Sequence, residues 1–144
     1  MSLLFVYGVL IRELATGRAA ELVAPLGPGT PATVRGRLYA LRGSDGGFYP
    51  ILLPEADGGP VHGVMHPAEG VDWPGMDQFE DAHDGPDPEY RRCLVPVETP
   101  GGAVNNAIAY CYARPLPDAA QPIAGGSFAR WLADTGNRAI GMRD

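Results

Sequence analysis

Glycine and proline divide this chain into short segments, because its 144 residues include 20 glycines and 15 prolines. Both residues interrupt helices and strands, so long regular elements are not expected. The apolar segments between them are brief, and the strands they predict outnumber the helices. We therefore predict an α+β fold, a small mixed β-barrel of about six strands with a few short helices, in a single domain over residues 1–144.

Six segments are predicted to be strands, of which 32–41 is the clearest because its side chains alternate between two faces. Pro50 either interrupts the next strand or places it at a sheet edge. Helices are predicted over 12–26, over 72–83 with Asp72 as the N-cap, and after Ser127, a second candidate cap. The predicted strands cover residues 3–6, 32–41, 47–55, 61–67, 92–99 and 106–115.

Composition argues against several classes of function. The formal net charge is −6, which opposes binding to nucleic acid because phosphate backbones attract basic surfaces. The apolar runs are far shorter than the roughly 20 residues that cross a bilayer, so no membrane anchor is expected. The two cysteines, Cys93 and Cys111, are expected to be free thiols in a cytoplasmic protein.

A metal site is not expected either. His62 and His66 share a face of one predicted strand but stand roughly 13 Å apart at about 3.3 Å per residue, too far to bind one ion. Neither cysteine has a recognisable catalytic context, and the glycine patterns of nucleotide-binding loops are absent. The sequence therefore predicts no metal and no cofactor.

Glu80 fits its predicted helix less well than any other residue. It shares a face with Met76 and Phe79, which should contact the core, and a buried carboxylate is costly unless it is paired or protonated. Two explanations remain open. Glu80 lies at the edge of this face, in solvent or paired with Arg91 or Arg92, or it is a functional acid.

Three further acids follow a single helical line, at intervals of four and three residues. They suggest a glycoside hydrolase, in which two carboxylates flank the scissile bond. A solvated helix face is the simpler explanation, and no partner carboxylate for Glu80 is evident. These acids are Asp77, Asp81 and Asp84.

The first apolar strand, LLFV, is followed by a glycine that marks either an ordinary loop or a close approach of the backbone to a ligand. This strand ends in Tyr7-Gly8-Val9-Leu10, and the helical sequence MDQFED is followed by Tyr90-Arg91-Arg92 and another strand. Supporting segments are VRGRLYAL, FYPILLP, VHGVMHP and AYCYARPL. On these residues the chain resembles the γ-glutamylcyclotransferase-like (AIG2-like) family over almost its whole length.

The resemblance implies a cavity in a small barrel and a cyclotransferase, of the transferase and lyase type, that releases an amine from a γ-glutamyl amide with formation of 5-oxoproline. It implies Glu80 as the general acid/base and Tyr7-Gly8-Val9-Leu10 as the cradle for a carboxylate or oxyanion. Three tyrosines are candidates to complete the pocket, and ordinary core packing explains them equally well. Those candidates are Tyr90, Tyr110 and Tyr112.

Two positions depart from the family pattern. Val9 replaces the usual Ser or Thr, and Asp81 replaces the glycine that follows the helical Glu. Asp81 either raises the pKa of Glu80 by repulsion between like charges or faces water. These departures leave a second hypothesis, a non-catalytic module of the same fold that binds a small molecule.

The expected partner is a small γ-glutamylated amine whose leaving group lies near the loops 43–47 and 83–89, while the released amine and the oligomeric state stay undetermined.

Overall fold

The computed structural model describes residues 2–12 and 14–140, and its centre is a closed β-barrel. Its strands are β1 (Leu3–Val6), β2 (Thr30–Arg42), β3 (Phe48–Pro54), β4 (Gly59–Pro67), β5 (Tyr90–Glu98), β6 (Val104–Tyr112) and β7 (Gln121–Pro122). Five of them close the ring in the order β2-β4-β1-β6-β5, and β5 returns to β2 where Thr33 pairs with Glu98. Only β1 and β6 run parallel in this ring. The predicted mixed barrel is confirmed.

All six predicted strands are present, with bounds that differ by a few residues at most. β3 is continuous through Pro50 and lies at the edge of the sheet, where it pairs with β2 alone among the described strands. An edge tolerates proline because the missing N–H needs no partner there. β7, a two-residue strand on β2, was not predicted, since two residues carry no alternating pattern.

The helices are α1 (Gly17–Val23), α2 (Trp73–Phe79) and α3 (Phe128–Thr135). The predicted caps are correct: Asp72 accepts a hydrogen bond from the Gly75 N–H at 3.0 Å, and Ser127 accepts one from Arg130 at 3.2 Å. The predicted bounds of α1 were too wide, because α1 begins only at Gly17, whose φ is +55°. Among the described helices none has the length and apolar character needed to cross a membrane.

α2 also ends earlier than predicted, and Glu80 is its C-cap rather than an interior residue. The next residue, Asp81, adopts a left-handed φ of +52°. The N–H of Ala82 then donates to the carbonyl of Asp77, and the N–H of Asp81 donates to that of Gln78. This is the Schellman arrangement that commonly ends helices, with Asp81 in the position usually taken by glycine. It explains the glycine that the family pattern carries there.

Alternation along the strands divides the core into two clusters. In β1, Phe5 belongs to the cluster shared by the inward-facing residues of the ring strands. Leu4 and Val6 belong to a second cluster, which includes Leu22 of α1 and Met76 of α2. Both helices therefore cover the same outer face of the barrel, and the loop after β1 lies beside them.

Candidate active site

A cavity of about 590 Å³ opens where β1 ends, a volume typical of sites for small ligands. Three parts of the chain that are distant in sequence form most of its wall. They are the loop after β1, the end of α2 with the start of β5, and the start of β3 with the loop before it. The lining residues used below are Tyr7, Gly8, Val9, Leu10, Leu14, Ala19, Arg42, Asp45, Tyr49, Pro50, Phe79, Glu80, Glu89, Tyr90 and Tyr110.

Most of the residues named from the sequence meet in this cavity. The structure places Glu80 in the same wall as the whole segment from Tyr7 to Leu10, and Tyr90 and Tyr110 line it as well. Tyr112 is different: it does not line the cavity, and its ring packs edge-on against Tyr90 with 5.9 Å between the ring centroids.

The carboxyl group of Glu80 has no hydrogen-bond or ion-pair partner among the described residues. The residue is partly buried, since it borders the cavity. Removal from bulk water is the main reason why its pKa is raised to about 8, and the negative charge of Glu89 contributes. Arg92, one of the partners considered for Glu80, instead binds Asp77 at 2.7 Å. Glu80 is thus a carboxyl group that can hold or release a proton near neutral pH.

Glu89 is a second carboxylate in the cavity wall, and the sequence analysis missed it. It lies directly before β5, and its Oε2 accepts a hydrogen bond of 2.6 Å from the hydroxyl of Tyr49 in β3. The expectation that Glu80 has no partner carboxylate was therefore wrong. Glu89 follows a polar, proline-rich loop without periodicity, so the usable signal was its position immediately before Tyr90 of the second motif.

Asp81 does not act on Glu80 in the way that the sequence suggested. Its carboxylate is shared between Arg114 and His83, each at 3.2 Å. The like charge that raises the pKa of Glu80 belongs to Glu89. Asp81 also does not simply face water, because these two contacts fasten the loop after α2.

Asp77 is not part of a solvated helix face, contrary to the simpler sequence explanation. Its side chain is only 22% exposed and accepts two hydrogen bonds of 2.7 Å, from the Tyr110 hydroxyl and from Arg92. These bonds connect α2 to β6 and β5. Asp84, by contrast, is exposed.

The tyrosine hydroxyls of the cavity wall are engaged in the protein's own hydrogen bonds. Tyr7 donates to the carbonyl of Tyr110, and Tyr90 donates to the carbonyl of Pro50 at 2.8 Å. Tyr110 donates to Asp77, as described above. The rings therefore shape the cavity, while their hydroxyls connect the loop after β1 to β6, β5 to β3, and β6 to α2.

Gly8 is required by packing against the protein itself. A Cβ at this position would lie 2.7 Å from Cδ of Pro50 and closer still to its Cγ. The close approach of the backbone that this glycine indicated is thus to Pro50 of β3. The contact between Gly8 and Pro50 holds the loop after β1 in the cavity wall. None of the described residues accepts a hydrogen bond from the backbone N–H groups of Gly8, Val9 and Leu10. Three unpaired donors consequently lie in the same wall as Glu80.

No group of three or more His, Cys, Asp and Glu residues is placed to hold a metal ion within residues 2–12 and 14–140. Cys93 is partly buried and Cys111 is buried, and both are free thiols.

Comparison with known proteins identifies the family. The family model described as "Gamma-glutamyl cyclotransferase, AIG2-like" matches residues 4–131. The chain belongs to this family. No curated protein sequence matches the chain.

Several solved structures share the fold at low sequence identity. An AIG2-like protein from Mus musculus gives a TM-score of 0.70 at 20% identity, over 100% of this chain and 98% of that one. A structure named gamma-glutamyl cyclotransferase gives 0.64 at 14%, over 99% and 91%. YkqA from Bacillus subtilis gives 0.64 at 22%, over 94% of this chain but 42% of YkqA, so the chain spans less than half of that protein.

Proposed function

We propose that the protein is a cyclotransferase that releases an amine from a γ-glutamyl amide and forms 5-oxoproline, with Glu80 as the general acid/base. One observation carries this proposal. A carboxyl group with a pKa of about 8 shares a cavity with the backbone N–H groups of the first family motif, and within residues 2–12 and 14–140 neither has a partner. Membership of the γ-glutamyl cyclotransferase, AIG2-like family supports the same reaction class.

The proposed reaction needs no nucleophile from the protein, because the substrate supplies its own α-amine. Ionised Glu80 takes a proton from the α-ammonium, and the freed nitrogen attacks the γ-carbonyl carbon. The new C–N bond closes the five-membered ring, and the original amide C–N bond breaks. Glu80 returns the proton to the departing nitrogen and then carries the second proton of the ring nitrogen to the released amine, so one carboxyl group acts alternately as base and acid. Neither water nor an oxidant is consumed.

Orientation accounts for much of the expected rate. Well-oriented intramolecular reactions reach effective molarities of roughly 10⁵ to 10⁸ M. A carboxyl group with a pKa near the working pH is best suited to transfer protons in both directions. Burial beside the cavity and the charge of Glu89 provide that pKa for Glu80.

The backbone amides of Gly8, Val9 and Leu10 serve as the cradle for the substrate α-carboxylate or for the developing oxyanion. Backbone N–H groups stabilise such charges without a cationic side chain. The replacement of a hydroxyl residue by Val9 leaves this role intact, since the N–H remains. Tyr7, Tyr90 and Tyr110 form the walls around the bound glutamyl group, and Tyr112 supports the Tyr90 ring from behind.

The decisive experiment measures 5-oxoproline release from a panel of γ-glutamyl amides by the wild type and by Glu80→Gln. We expect the substitution to lower kcat at least 100-fold, the smallest contribution usual for a general acid/base. Glu69→Gln makes the same change at an exposed residue and should leave kcat unaltered. Full turnover by Glu80→Gln would refute the mechanism.

A second candidate function is a binding module that retains the cavity without turnover. Val9 favours it, because the hydroxyl usual at this position is missing. Tight binding of γ-glutamyl amides by the wild type, with no 5-oxoproline from any member of the panel, would select this candidate.

A further inference from the structure

Glu89 has no cationic partner among the described residues, although it lines the cavity. Its Oε2 is bonded to Tyr49, a neutral donor. Burial and the bond to Glu89 raise the pKa of Tyr49, and nearby Arg114 opposes this rise only weakly. The guanidinium of Arg114 is bound instead to Asp81 at 3.2 Å and to Asp87 at 3.3 Å. In the part of the chain that the structure describes, no cation neutralises the charge of Glu89.

The other charged side chains of the cavity wall either point away from Glu89 or are bound to other residues of the protein. Asp45 accepts from the Gly47 N–H at 2.8 Å and pairs with Arg138 at 3.4 Å. Arg42 is placed over the ring of Phe48, its register partner on β3. Side chains alternate along a strand, so Arg42 and Phe48 point to the face opposite to Tyr49 and Glu89. The Glu89 side of the cavity is consequently anionic.

Apolar side chains line the same cavity. Leu10, Leu14 and Ala19 contribute to its wall, and Phe79 lies next to Glu80. This surface fits an alkyl chain better than a hydroxylated or strongly polar group, whose desolvation would be uncompensated. A leaving group with an aliphatic body and a charged end matches both features.

We propose that Glu89 binds a second, positively charged nitrogen on the leaving amine, so that the preferred substrates are γ-glutamyl amides of aliphatic diamines. The proposal rests on the proposed function, because it assigns the leaving-group side of that reaction. The nitrogen being released contacts Glu80, the alkyl chain lies on the apolar wall, and the distal ammonium forms an ion pair with Glu89. The formal net charge of −6 also favours the approach of such a cation.

The test compares two ligands that differ only at the distal group, the γ-glutamyl amides of cadaverine and of n-pentylamine. Calorimetric titration of Glu80→Gln separates binding from turnover. We expect the cadaverine amide to bind about 10- to 100-fold more tightly, as is usual when a hydrogen-bonded charge is satisfied. The additional substitution Glu89→Gln should abolish this preference. Asp84→Asn, which removes an exposed charge outside the cavity wall, should retain it.

Each outcome bears on one proposal or both. Equal affinity for the two amides, or a preference that survives Glu89→Gln, would overturn the inference about Glu89. The comparison of the two amides does not use a Glu89 variant, so it tests the inference even where Glu89→Gln does not fold. If the wild type releases 5-oxoproline from both amides but the two amides bind equally well, the proposed function is supported and the inference about Glu89 is contradicted. A Glu89-dependent preference without turnover by the wild type would contradict only the proposed function, and binding of neither amide would contradict both.

Discussion

Glu80 makes the stability of the folded protein depend on pH in an unusual direction. Its pKa rises from 4.5 to about 8 on folding, so between these values the folded protein holds a proton that the unfolded chain has released. The stabilisation linked to this proton is complete below pH 4.5 and is lost as the pH rises through 8. The loss amounts to at most about 1.4 kcal/mol per pH unit.

Glu80→Gln should remove this dependence, because a glutamine cannot ionise. Urea unfolding of both proteins at a series of pH values gives the difference in their free energies of unfolding. We expect the difference to change in favour of the variant between pH 4.5 and 8 and to be constant above that range. Parallel pH profiles would show that Glu80 ionises equally in the folded and unfolded states.

At the same scale, the sequence was sufficient to find Glu80 and the loop after β1, because both belong to local motifs. It was insufficient for Asp77 and Glu89. The surroundings of these two carboxylates are made by Tyr110 and Tyr49, which come from distant strands. A local pattern predicts which face of its helix a residue occupies. It does not predict which hydroxyl group of a distant strand will form a hydrogen bond with that residue.

Helix α2 is the element on which the site depends most. It has only seven residues, so its own hydrogen bonds are too few to fix it, and its position comes from tertiary contacts. Asp77 binds Tyr110 of β6 and Arg92 of β5, and Met76 is fully buried in the outer cluster. These contacts determine where the following residue of the site, Glu80, is held.

Tyr110→Phe tests this attachment, since it removes one hydroxyl and leaves the ring. The loss of a hydrogen bond to a charged group should lower the free energy of unfolding by about 1.5–3 kcal/mol. It should also reduce kcat, because α2 loses its bond to β6. Tyr112→Phe, on the same strand, is the matched control: its hydroxyl has no hydrogen-bond partner among the described residues. Equal effects of the two substitutions would argue against a role of Asp77 in positioning α2.

At the scale of the whole molecule, β1 is the strand that connects the two core clusters with the cavity. It pairs with β4 on one side and with β6 on the other, and its alternating residues enter both core clusters. Its C-terminal end leads directly into the cavity wall. The position of the cavity is therefore tied to the closure of the barrel.

Leu4→Ala should destabilise the entire fold for this reason. Leu4 is 0% exposed, and truncation of a buried leucine usually costs about 2–5 kcal/mol, so we expect a loss near the middle of that range. Leu94→Ala is the control, because Leu94 is 69% exposed and its loss should change the free energy of unfolding by less than about 0.5 kcal/mol. Chemical denaturation of both variants provides the comparison. A similar, small effect of both substitutions would contradict the assignment of β1 to the core.

The barrel itself was predictable from alternation and from the positions of glycine and proline, which determined six of the seven strands. The order of the strands was not, because ring closure depends on few contacts. One register pair, Thr33 with Glu98, joins β2 to β5, and one, Leu4 with Ile108, joins β1 to β6. No local pattern marks either pair.

The segment 81–88 separates the two carboxylates of the cavity, and Arg114 fastens it through Asp81 and Asp87. The N–H of Glu89 donates to the carbonyl of Asp81 at 3.1 Å, so the two ends of the segment are held together whatever its length. Insertions or deletions between these ends should therefore leave Glu80 and Glu89 in place and change only the residues between them. We accordingly expect loops of other lengths to be exchangeable at this place on an unchanged barrel.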